Sequence, residues 1–165
     1  MTRIKLVVFD ADDVLFSSSS DCYLGQVKLP IRKLDNDSIV DATGCKIMLD
    51  PEARLVLAEL QRRGIQASLD SVNRPYESNE IIKILQLDRI LRYSKINFCD
   101  KGKNILDILQ EFKKEGHLEI SPDEVMFIDD VEKFCNDVRK ALRGRGIVLQ
   151  MGKDIKHLSE LFKFL

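Results

Sequence analysis

Twice in this chain an apolar run stops abruptly at carboxylates, and that pattern restricts the fold more than anything else in the sequence. Residues 4–16 read Ile-Lys-Leu-Val-Val-Phe-Asp-Ala-Asp-Asp-Val-Leu-Phe, a buried strand followed by Asp10, Asp12 and Asp13 within four positions. Val125, Met126, Phe127 and Ile128 run into Asp129 and Asp130 with the same layout. Side chains of an extended backbone alternate in direction, which puts Asp10 and Asp12 on one face and Asp13 on the other. Like charges so close repel unless a cation or a shared proton offsets them. A divalent metal site at the strand end is the simplest reason for tolerating them.

Between these two runs the periodicity alternates. Asp50-Pro51-Glu52 announces a helix, with Ala53, Val56, Leu57 and Leu60 on one face and Gly64 as its stop. Residues 65–69 form a second strand that ends at Asp70-Ser71-Val72-Asn73. Arg74-Pro75 breaks the backbone before a helix over 78–87. A third strand covers 93–98, and Ile105, Ile108, Leu109 and Phe112 mark a helix running from Lys101 to Gly116. After the second carboxylate run come a helix through Val131, Phe134, Cys135, Val138 and Leu142, a strand at 147–149 and a terminal helix over 154–165. The Arg143-Gly144-Arg145-Gly146 run reads as a helix stop rather than an anion site.

Apolar strands alternating with amphipathic helices imply βαβ units, hence an α/β fold with a doubly wound, Rossmann-like parallel sheet covered by helices on both faces. Ligands of such sheets bind beyond the carboxyl ends of the strands, where Asp10, Asp12, Ser71, Asp129 and Asp130 all fall. Residues 17–50 interrupt the pattern. They are polar and turn-rich, beginning with four serines that read as a flexible loop, and they form a small β-type, cap-like insertion in a single domain spanning 1–165.

Composition excludes several classes. Lys plus Arg number 26 against 27 Asp plus Glu, a net charge of −1 that argues against a nucleic-acid or membrane-surface binder. No apolar run reaches the roughly 18 residues of a membrane span, and no basic-then-apolar leader opens the chain, so a cytoplasmic location and no obligate protein partner are the expectations. Four cysteines, Cys22, Cys45, Cys99 and Cys135, contain no C-x-x-C pair, which weighs against zinc or redox motifs. Free buried thiols are the default, with a bond between Cys22 and Cys45 left open.

Magnesium takes hard oxygen ligands, commonly one or two carboxylates plus a substrate phosphate, a demand that Asp10 and Asp129 meet. A carboxylate beside the metal can also attack phosphorus and divide one hard hydrolysis into two easier steps. Phe9-Asp10-Ala11-Asp12-Asp13-Val14-Leu15 resembles the first motif of the haloacid dehalogenase superfamily, Asp-x-Asp-x-(Thr or Val) after a hydrophobic strand. The resemblance implies that Asp10 is the nucleophile and Asp12 the general acid and base. Ser71 matches the second motif, whose hydroxyl binds the phosphoryl group, and the resemblance implies that Val72, Asn73 and Lys101 bind the phosphate with it. Lys101 looks like the third-motif lysine, and Asp129-Asp130 the acidic fourth motif that binds the metal with Asp10 and Asp12. The layout is most similar to the magnesium-dependent phosphatase-1 group. It implies a Mg²⁺-dependent phosphomonoester hydrolase whose substrate is a phosphorylated small molecule or protein side chain.

Some residues have a competing reading. Ser68 rivals Ser71 but lies inside the strand, and Lys103 rivals Lys101. Asp129 is the expected direct metal ligand, with Asp130 supporting it. His117 and His157 have no partner at ligand spacing. Tyr23, Tyr76 and Tyr93 are scattered; any of them could line the entrance to the site, with packing as the default role. Asp13 is an extra charge beside the nucleophile, and Phe134 stands where the group usually has Asn. These two departures keep a second reading open, a catalytically weak module that binds metal or phosphate.

Overall fold

The computed structural model describes residues 3–18 and 22–165. Strand β1 (Leu6–Phe9) is buried along its whole length because it is paired on both sides. Its neighbours, β6 (Gln66–Val72) and β8 (Val125–Asp129), both run parallel to it. With β7 (Lys95–Asn97) and β9 (Ile147–Gln150) at the edges, the sheet has the order β7-β6-β1-β8-β9, all parallel.

Alternation along β1 sorts the core into two layers. Val7 and Phe9 pack with residues of α1 (Ala53–Arg62) and α2 (Pro75–Ile84), such as Leu57 and Ile81. Leu6 and Val8 face α3 (Lys101–Lys114) and α4 (Glu132–Ala141) through Ile105, Phe112 and Val138. Helices thus cover both faces, as the sequence periodicity implies. Chain direction reverses its walk across the sheet between β1 and β8, and this switch point is where a doubly wound sheet opens a crevice.

The insertion is β-structured. β2 (Phe16–Ser18), β3 (Arg32–Lys33), β4 (Ser38–Val40) and β5 (Lys46–Leu49) form an antiparallel sheet in the order β2-β5-β4-β3. Phe16, Ile39, Ile47 and Leu49 are buried in the same cluster as Val7 and Phe9, so apolar burial anchors the insertion to the main core. Ser17 and Ser18 are not a flexible loop: they pair with Met48 and Ile47. Ser19 and Ser20 lie outside the described residues. Cys22 and Cys45 form a disulfide, so two of the thiols expected to be free are bonded. Of the other two, Cys135 is buried and Cys99 is exposed.

Helix starts and stops mostly follow their sequence signals. Asp50 accepts a hydrogen bond from the Glu52 N–H at 2.8 Å, and Gly64 leaves α1 at φ +72°. Two expectations fail for identifiable reasons. α2 begins at Pro75 rather than 78, because proline lacks only an N–H that the first helical position does not need. The terminal segment is a 3₁₀ turn over Leu158–Phe164 and not an α-helix over 154–165. Its buried anchors Ile155, Leu158 and Leu161 recur every third residue, the spacing that lines up in a three-residue turn. The Arg143–Gly146 stretch is a helix stop, with Arg143, Gly144 and Gly146 all at positive φ. No helix among the described residues is long and apolar enough to cross a membrane.

Candidate active site

Each expected site residue sits at or just beyond the carboxyl end of a strand, or at the head of the helix that follows. Asp10 leaves β1 with its N–H donating to the Ile128 carbonyl of β8 at 2.9 Å. The chain then turns sharply, the N–H groups of Val14, Leu15 and Phe16 converging on the Ala11 carbonyl. Asp13 occupies the left-handed region at φ +59°. Alternation of an extended strand therefore ends at Asp10, and Asp13 does not face away: it lines the same cavity as Asp10 and Asp12.

Lys101 opens α3 and is 1% exposed. Its ammonium donates to Asp10 Oδ1 at 2.6 Å and to Asp129 Oδ2 at 2.5 Å, joining the ends of β1 and β8. Asp100 caps this helix by accepting from the Lys103 N–H at 2.9 Å. Gly102 allows α3 to approach α4 closely, since a Cβ there would lie 2.9 Å from the Asp137 carbonyl oxygen. Lys103, the rival lysine, is exposed. Ser68, the rival hydroxyl, is wholly buried within β6.

Asp129 is fully buried, and its Oδ1 accepts from the Val131 N–H at 2.8 Å. Oxygens of Asp10, Asp129 and Asp130 lie within 4.8 Å of one another. Against these three carboxylates stands one ammonium, so full ionisation would leave two negative charges in a largely dry site. Burial pushes the Asp10 carboxyl up to about 8, with Lys101 pulling the other way and Asp129 adding to the rise. Asp130 is also raised, first by burial and then by Asp129. Burial opposes the charge on Lys101, but Asp10 and Asp129 outweigh it and raise its pKa. A hard divalent cation fits this donor set and offsets the excess charge. Asp12, expected among the metal ligands, is not part of this trio. Its carboxylate accepts instead from the Leu24 N–H at 3.0 Å and from Asn73 Nδ2 at 2.9 Å.

The cavity above this cluster measures about 320 Å³. Ser71, Val72, Asn73 and Lys101 line it together with Asp10, Asp12 and Asp130. Tyr23, Val131 and Phe134 complete the wall. The sequence left Tyr23 an entrance role only as an alternative to packing, marked Phe134 as a departure beside the site, and gave Val131 no wall role. Tyr23 arrives from the insertion, a placement that no local pattern announces. Phe134 lies in the first turn of α4, and its ring centroid is 4.7 Å from Lys101 Nζ. The departure from Asn at this position therefore brings an aromatic face to the buried ammonium.

The arrangement is a buried carboxylate beside a lysine, a second carboxylate held at the rim, and an acidic trio suited to a cation. The chain as a whole is similar to known proteins in sequence and in shape. The acid phosphatase family profile matches residues 3–152. Human magnesium-dependent phosphatase 1 is 29% identical over 161 residues, covering 97% of this chain and 86% of that protein. A HAD-superfamily hydrolase from Ehrlichia chaffeensis superposes with a TM-score of 0.68 at 16% identity, over 99% of this chain and 97% of its own. The N-terminal part of BF1531 from Bacteroides fragilis, which contains a phosphatase domain complexed with Mg, gives a TM-score of 0.63 at 17% identity. That match covers 98% of this chain and 39% of the longer one. The profile match extends from before β1 to just past β9 and so takes in every strand of the parallel sheet: the chain belongs to the acid phosphatase family, on the fold of the haloacid dehalogenase superfamily.

Proposed function

We propose that this chain is a Mg²⁺-dependent phosphomonoester hydrolase that works through an aspartyl-phosphate intermediate, as one hydrolase domain over 1–165 with 17–50 as a small cap-like insertion. The observation that carries this reading is the buried Asp10–Lys101–Asp129 bridge at the switch point, with Asp130 beside it. Lys101 takes Asp10 Oδ1 and leaves the second oxygen for attack on phosphorus, in line with the departing oxygen. That P–O bond breaks as the Asp10–phosphorus bond forms, and Asp12 gives the departing oxygen its proton. Asp12 then takes a proton from water, the hydroxide cleaves the acyl phosphate, and inorganic phosphate leaves with the Asp10 carboxylate restored.

Ser71 and Val72, at the end of β6, and the third ammonium hydrogen of Lys101 hold the phosphoryl oxygens. Asp10, Asp129 and Asp130 would hold the cation, which when bound screens the phosphate's charge from the attacking carboxylate. The magnesium named for the human relative and for the BF1531 structure supports this assignment. Substrates are phosphorylated small molecules or phosphorylated protein side chains.

Phosphate release from an aryl phosphate with Mg²⁺ tests the reading. Asp10→Asn and EDTA each abolish turnover in this account; undiminished release in either case overturns it. Binding of phosphate and Mg²⁺ with no turnover by the wild type would favour the binding module instead.

A further inference from the structure

Asp12 is gripped from two directions, and one grip comes from a residue whose own hydrogens are all committed. Asn73 is 5% exposed, and its Nδ2 donates to Asp12 Oδ2 at 2.9 Å and to Ser71 Oγ at 2.7 Å. A side-chain amide has two N–H hydrogens, so none remains for a phosphoryl oxygen, and its carbonyl oxygen repels one. Turning the amide over would set that carbonyl against the Asp12 carboxylate. On the other side the Leu24 N–H holds Asp12 Oδ1, and Leu24 is itself buried in the core. Gly25 closes the ring, because a Cβ there would lie 2.7 Å from Asn73 Oδ1.

We infer that Asn73 is a positioning residue for the acid and base Asp12, not a ligand of the phosphoryl group, and that the insertion turn Leu24–Gln26 completes the clamp. This rests on the phosphatase reading. The Asn73 amide and the Leu24 N–H fix the rotation of the Asp12 carboxylate, so that its proton meets the departing oxygen. Ser71 accepts from Asn73 and keeps its own hydrogen for the phosphate.

The test compares two substrates on the same preparation of Asn73→Ala. Nitrophenyl phosphate expels a stable phenolate that needs little protonation, whereas an alkyl phosphate needs its leaving oxygen protonated. The kcat/KM values cover formation of the aspartyl phosphate, and their ratio is independent of the fraction of enzyme folded. Asn73→Ala lowers kcat/KM for the alkyl phosphate about 100-fold, within the range of a general acid's contribution, and for nitrophenyl phosphate by less than about tenfold. Inhibition by inorganic phosphate changes by less than about threefold. Gly25→Ala, which presses on the same amide from the insertion, shifts the substrate ratio in the same direction. Equal losses for both substrates, complete loss included, overturn the inference, as does phosphate inhibition weakened in step with the rate. Wild-type protein that hydrolyses neither substrate overturns the phosphatase reading itself.

Discussion

Asp70 is fully buried one residue before Ser71, with Oδ1 accepting from Asn104 Nδ2 at 2.8 Å and Oδ2 lacking a partner among the described residues. Burial pushes its carboxyl up to about 7, with the Asn104 bond only partly opposing. An unfolded Asp releases its proton at about 3.9, so between these values the folded chain binds more protons than the unfolded one. Stability therefore falls as pH rises through that window and stays lowered above it. Asp70→Asn removes this dependence: it is expected to gain on the order of a few kcal/mol over wild type at pH 8 and almost nothing near pH 4, read by denaturant unfolding at both. A gain that is the same at both pH values would show that Asp70 does not titrate this way. At Phe134 the loss expected of Phe134→Leu is about 1 kcal/mol of cation–π attraction on Lys101. In steady-state kinetics this appears as a roughly fivefold fall in kcat; an unchanged kcat would reduce the ring to wall packing. Asp10, Ser71, Lys101 and Asp129 were legible in the sequence because each stands at a fixed offset from a strand or helix end. Asp13 and Phe134 were not, because a tight turn and a helix approach decide what they touch.

At the scale of elements, the insertion shows how little local pattern says about where a segment docks. Its turn residues and short apolar runs announced β-structure, and four strands form there. The sequence left a bond between Cys22 and Cys45 open without deciding it, and nothing in it brought Leu24 to Asp12, since both depend on how the strands pair. Reduction, or Cys45→Ser, opens a loop closed over 23 residues. The chain-entropy account assigns such closure about 3 kcal/mol. At about 2–4 °C per kcal/mol for a chain of this size, the melting temperature should fall by roughly 6–12 °C. An unchanged melting temperature would show that apolar anchoring of the insertion suffices without the bond. The start of α2 and the terminal 3₁₀ turn were misread for a different reason. Proline serves both to break a backbone and to begin a helix, and a period of three is close to 3.6 over so short a run.

For the molecule as a whole, the order β7-β6-β1-β8-β9 brings residues about 120 positions apart, Asp10 and Asp129, onto one lysine. The charge gathered there makes the fold's stability responsive to a cation. With Mg²⁺ at about 100 times its dissociation constant, stabilisation is about 2.7 kcal/mol, and the melting temperature should rise by roughly 5–10 °C. Asp130→Asn should reduce that rise, and a thermal shift indifferent to Mg²⁺ would overturn the cation assignment. By itself the sequence determined the alternation of strands and helices, both layers of the core, and the strand ends that carry the carboxylates. Those follow from periodicity and from helix caps, which are local. Tertiary structure alone decided that Asp12 turns away from the Asp10, Asp129 and Asp130 cluster to Asn73 and Leu24, and that Phe134 faces Lys101. Such partners are set by strand order and by where an insertion packs, neither of which any single segment encodes.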